Sequence, residues 1–131
     1  MTQEEKDLLL KDLCARLPYG VRYRHFTWND EYGETYIAAQ IYSINTDGYV
    51  KNCHDDETVY IDNVRLYLLP LSSMTEEQKK EYQYITERWM NDPAYSISDS
   101  IDWLNKNHFD YRGLIEKGLA LEAPEEMYKT E

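Results

Sequence analysis

"VRYRHFTWNDEYGETYIAAQIYSINTDGYV", Val21 to Val50, decides the fold. Ahead of it the apolar residues recur at helical spacing. Within it the period falls to two, as expected for strands with one face buried. Strands are predicted near 21–28, 35–44 and 49–53, with breaks at "NDEYGE" and "NTDG". Asp47-Gly48 is the strongest hairpin signal, because glycine adopts positive φ without steric cost. Two further strands are expected near 58–61 and 64–69, after "CHDDE" and on either side of "DN", or else one bent strand in their place. Consecutive strands with short connections imply an antiparallel meander.

Working outward, Thr2 and Glu5 form an S/T-x-x-E capping box, and Leu9, Leu10, Leu13, Cys14 and Leu17 share one helical face until Pro18 and Gly20 end it. Beyond Pro70 the period is helical again. Thr75 caps, Gln78 sits at N3, and Tyr82, Ile85 and Trp89 follow one stripe up to Asp92-Pro93. A second helix is expected from Ser96 or Ser98, burying Ile97, Ile101 and Leu104. In "HFDYRGLIEKGLALEAP" Asp110 is placed to cap a turn or two and Gly118 to stop it, with Phe109, Leu114, Ile115 and Leu119 inward. His108 would then lie at a helix C-terminus, where the dipole favours its charged form. Arg112 would pair with Asp110 or with an acid elsewhere. The order is helix, strands, helices. It predicts an α+β domain over residues 1–131: an antiparallel sheet of four or five strands, packed on one face by an N-terminal helix and two or three C-terminal helices. From about residue 122 the tail is expected to be mobile, with Met127 and Tyr128 able to dock on a partner or on the sheet.

The chain has 131 residues and a formal net charge of -11, spread over both halves. Such a charge repels long nucleic acid and anionic membranes, and suits solubility or a basic protein partner. No apolar run approaches the roughly 20 residues of a membrane span, and the acidic N-terminus is unlike a signal peptide, so a cytoplasmic location is expected. Cys14 and Cys53 are expected to be free thiols.

Three stretches, "LLLKDLCARLPYGV" (Leu8–Val21), "LYLLPLSSMTEEQKKEY" (Leu66–Tyr82) and "HFDYRGLIEKGLALEAPEEMY" (His108–Tyr128), resemble a family of small proteins from gut Bacteroidales bacteria and their phages or mobile elements. The resemblance covers about half the chain and carries no established activity. It implies an intracellular accessory protein and transfers no functional residue.

Sequence motifs exclude much chemistry. There is no P-loop, G-x-G-x-x-G, H-E-x-x-H, paired C-x-x-C or G-x-S-x-G. "CHDDE", Cys53 to Glu57, holds metal-ligand types, but adjacent residues in a turn seldom converge on one ion. A site there would need His25 or His108 as well. No metal, cofactor or catalytic residue is therefore expected.

The remaining signal is distributed. Val21, Ile37, Ala39, Ile41, Val50, Val59, Ile61, Val64, Leu66 and Leu68 alternate onto one sheet face. The opposite register carries Arg22, Arg24, Tyr36, Tyr42, Tyr49, Lys51, Tyr60, Arg65 and Tyr67. Tyrosine favours strands for structural reasons alone. A working surface, if present, is expected on this Tyr/Arg face. The leading expectation is a non-catalytic interaction protein with an unidentified protein partner. One alternative is a binder of a nucleotide or other small anionic ligand, using Arg22, Arg24 and Arg65; another is a hydrolase using the His54 region. The same face would also suit a dimer interface.

Overall fold

The computed structural model describes residues 1–55, 57–91, 97–124 and 126–128. The chain runs α1 (Gln3–Arg16), β1 (Arg22–Asn29), β2 (Gly33–Ile44), β3 (Tyr49–Asn52), β4 (Thr58–Tyr60), β5 (Leu66–Pro70), α2 (Glu76–Asn91), α3 (Ile97–Lys106), β6 (Phe109–Asp110) and β7 (Ala120–Glu122). It is an α+β fold, with more strands than the sequence suggests. The first five strands pair antiparallel in the order β4-β3-β2-β1-β5, whereas β6 and β7 add to β5 in parallel. The sheet is therefore mixed.

Turn chemistry sets the meander. Gly33 (φ 79) closes the β1–β2 hairpin and Gly48 (φ 88) the β2–β3 hairpin. In the second, the Asn45 side chain accepts from the amides of both Asp47 and Tyr49. β4 and β5 are separate strands joined through a 3₁₀ turn, Ile61–Asn63. That join forces curvature. The Ile61 amide donates to Gly48 O, while Arg65 O accepts from the Arg24 amide. In a flat sheet these two edges would stand four strand spacings apart, about 19 Å. The four residue steps between them reach at most about 14 Å. So the strands curl towards a small, open barrel around Val21, Tyr23, Ile41, Val50, Val64 and Leu66, with Leu9 and Leu13 of α1 in the same core.

β5 sits between two kinds of neighbour. Residues 65, 67 and 69 face one edge: Arg65 O takes the Arg24 amide, Tyr67 O takes the Tyr128 hydroxyl, and the Leu69 amide gives to His108 O. The other edge carries β7, where the Ala123 amide donates to Leu68 O. Of the two docking places open to Tyr128, it takes the sheet. A second core, built from Trp103, Leu104 and Phe109, joins α2 and α3 to this end of the molecule.

Both capping boxes form, at Thr2–Glu5 and Thr75–Gln78. Asp110 accepts from the amides of Leu114 and Ile115, so the turn it caps has the expected anchor. Two helical faces differ from their patterns. On α1 the buried residues are Leu9, Asp12, Leu13 and Arg16, and Cys14 is exposed. The rotation accommodates a buried Asp12–Arg16 ion pair. On α3 the buried residues are Ser100, Trp103, Leu104 and Asn105, while Ile101 is exposed. The Asp92-Pro93 stop and a start at Ser96 lie outside the described residues, as do the side chains of Trp89 and Ile97. Among the described residues, no helix is long and apolar enough to cross a membrane.

Candidate functional site

The β1–β2 ladder pairs Arg22 with Gln40, Arg24 with Ala38, Phe26 with Tyr36 and Trp28 with Glu34. All of these even-numbered residues stand on one face, and Tyr23 and His25 lie buried on the other. The strand-face alternation seen in the sequence is therefore the one adopted. The Phe26 and Tyr36 rings meet edge to face at 5.8 Å, and the Arg24 guanidinium lies 5.0 Å from the Tyr36 ring centre. Phe26 and Trp28 belong to this patch although neither was among the candidate residues. Their signal was the same alternation along "RYRHFTWN", which sets them beside the arginines.

Arg22 shares this face, whereas Tyr49, Tyr60 and Arg65 make their contacts elsewhere. Tyr49 and Tyr60 pair at 5.2 Å on the β3–β4 ladder, and Lys6 of α1 reaches the Tyr60 hydroxyl at 3.4 Å. Arg65 directs Nη1 to the carbonyls of Asp62 and Val64. Arg22 is half-buried, and the Tyr128 hydroxyl accepts from its amide. Tyr67 is half-buried beside the same hydroxyl, and Tyr42 is exposed on β2, where the β2–β3 register shifts.

Curling brings the β3–β4 connection against the inner side of β1. His25 is 3% exposed, with Nε2 2.9 Å from Asp55 Oδ2 and 3.4 Å from Glu57 Oε2. Its Nδ1 lies 2.9 Å from the Tyr23 hydroxyl, which accepts from Asn52 Nδ2 at 3.1 Å. Asn52 Nδ2 also binds Asp55 Oδ1. The hydrogen bond from His25 is the main reason the Asp55 carboxyl falls to about 2. His54, the other histidine of this turn, is exposed, and its amide binds Asn52 Oδ1. A general acid/base pair from His54 and Asp55 does not form, because Asp55 faces His25.

His25, Asp55 and Glu57 have the donor types and spacing for a divalent ion. The hydrogen-bond directions favour a different account. Asn52 donates to the Tyr23 oxygen; with the imidazole proton on Nε2 facing Asp55, the Tyr23 hydroxyl donates to His25 Nδ1. An ion on Nε2 would displace that proton to Nδ1 and strand the buried Tyr23 proton. In that tautomer the network fastens the turn to β1 through hydrogen bonds alone. Burial holds the Tyr23 phenol up at about 12, which suits a hydrogen-bonding role and not that of a nucleophile.

A cavity of about 410 Å³ opens beside this network, lined by Arg24, Phe26 and Tyr36 from the hairpin and by Glu57, Thr58 and Val59 from the facing segment. It occupies the seam where β5 has turned away from β1. The site is thus an aromatic and cationic outer patch, a seam with the Glu57 carboxylate on its far wall, and Asp55 on His25 beside it. No protein-family model, curated protein or solved structure matches the chain.

Proposed function

We propose that this is a non-catalytic accessory protein of the cell interior that binds another protein through the outer face of the β1–β2 hairpin. One observation carries the reading: Phe26, Trp28 and Tyr36 are 45%, 67% and 59% exposed on a single strand pair. Burying apolar surface contributes about 25 cal/mol per Å², so such a patch favours association. Aromatic and arginine side chains are also the usual anchors of protein interfaces. The net charge of -11 selects a partner whose rim is basic. The resemblance to a family of small proteins from gut Bacteroidales and their phages or mobile elements, which implies an accessory role, agrees with this reading.

The anionic-ligand alternative asks Arg22, Arg24 and Arg65 to converge. Arg65 is already engaged by two backbone carbonyls, and Arg22 is half-buried, which leaves Arg24 as the exposed member. That arrangement favours the protein-binding reading.

The test is capture from bacterial lysate on the immobilised full chain, compared with a Trp28→Ser/Tyr36→Ser variant. A species retained by the native chain, lost by the variant and released by salt is the expected outcome. Identical retention by the two chains would overturn the reading. Sedimentation of the protein alone checks that the partner is not a second copy, since a self-associating chain would run as a dimer that the variant breaks.

A further inference from the structure

The open seam and the aromatic patch share a strand edge. In an antiparallel strand the amide and carbonyl of one residue point to the same edge, and successive residues alternate. Val21 O accepts from Ile41 of β2, so the odd residues of β1 face β2. The Arg24 amide donates to the carbonyl of Arg65, the residue before β5, so the even residues face the opposite edge. On that edge the β1–β5 ladder consists of Tyr23↔Leu66 alone, because the chain before Arg65 turns off into Ile61–Asn63. Phe26 and Trp28 therefore present their amides and carbonyls to the seam, with no ladder partner among the described residues.

We propose that an extended segment of the partner protein pairs with this edge of β1 as an added strand, with lysine or arginine at alternate positions. This deepens the binding role above and rests on it. The register sets the chemistry of the occupant. Side chains opposite the even residues of β1 fall on the outer face beside Phe26 and Trp28, where apolar groups are buried. The alternate side chains fall on the inner face, towards His25, Asp55 and the largely exposed Glu57 carboxylate. That wall is acidic, and cationic side chains complement it. Backbone bonds to Phe26 and Trp28 supply affinity, and the alternation supplies selectivity.

The probe is a short synthetic peptide of alternating valine and lysine, compared with the same peptide N-methylated at alternate residues so that it cannot donate to a strand edge. Binding to the full chain is followed by amide exchange and by titration. The Phe26 and Trp28 amides should gain at least about tenfold protection, and N-methylation should weaken binding at least about tenfold, as loss of backbone hydrogen bonds requires. Phe26→Pro should weaken it likewise while leaving the β1–β2 ladder intact, since the amide it removes does not face β2. Should that variant fail to fold, the methylated peptide decides alone. Equal binding of the two peptides, or none of either, overturns strand addition. If Trp28→Ser/Tyr36→Ser still abolishes capture from lysate in those cases, the outer-face reading survives without it. If capture is also unaffected, both fall.

Discussion

At the scale of single residues, His108 shows how tertiary contacts override a local rule. Its place after α3 predicts stabilisation of the charged ring by the helix dipole. Instead the ring is 5% exposed, stacks on Tyr128 at 3.7 Å, and shares its surroundings with Arg16 and Arg22. Burial first, then those two cations, lower its pKa from 6.5 to about 4. Between these values the unfolded chain binds a proton that the folded chain does not, so stability is complete above 6.5 and is lost as the pH falls towards 4. The contribution lost between pH 7 and pH 5 is about 2 kcal/mol. His108→Asn tests it, because asparagine tolerates the positive φ of 63 found there. Urea unfolding at the two pH values should show a fall smaller by about that amount in the variant. An unchanged difference would mean that the ring takes up its proton at the same pH in the folded and unfolded chains. Nothing near His108 in the sequence signals this, because the burying ring and both cations come from distant segments.

At the scale of elements, α1 was legible in its ends and misread in its face. The capping box at Thr2 is local, so "TQEE" suffices to place it. The buried stripe is not local: Asp12 and Arg16 form a pair with neither side chain exposed, and Arg16 Nη2 donates to Phe109 O at 2.6 Å. Arg112 is a second cation on Asp12, so the acid it pairs with lies elsewhere and not at Asp110. Two charged residues one turn apart read as a solvated face until β6 and the following turn cover them. Asp12→Ala leaves a buried guanidinium unpaired and should cost about 3–5 kcal/mol, whereas replacing both partners with apolar residues of similar volume should recover most of it. Paired urea denaturation curves check this. Equal destabilisation by the single and double changes would show that packing, and not the unpaired charge, sets the cost. β6 and β7 were missed for a related reason. Two- and three-residue strands have no period of their own and are defined by the edge of β5 beside them.

For the molecule as a whole, the sequence yielded the face of each strand but not the path of the sheet. Alternation fixes which residues share a face, and hence Arg24 and Tyr36 together. It says nothing about curvature, which comes from the short join between β4 and β5 and creates both the seam and the His25–Asp55 contact. Nor does it reveal how the C-terminal stretch completes the sheet. Where β1 has left β5 and β6 has not begun, the Tyr128 hydroxyl fills the gap, accepting from the Arg22 amide and donating to Tyr67 O, each at 2.8 Å. Burial raises this phenol to about 12, so it remains protonated and able to donate throughout the neutral range. One hydroxyl thus substitutes for a missing strand residue and ties the end of the chain to its first strand. Tyr128→Phe keeps the stack on His108 but leaves a backbone donor and a backbone acceptor without their partner. The expected cost is about 1–3 kcal/mol, read as a lower urea midpoint with an unchanged slope. Amide exchange should localise the effect, with the Arg22 amide losing protection while the β2–β3 ladder keeps its own. A uniform loss across the sheet would instead make the hydroxyl part of the global stability and not a local closure of the β1–β5 gap.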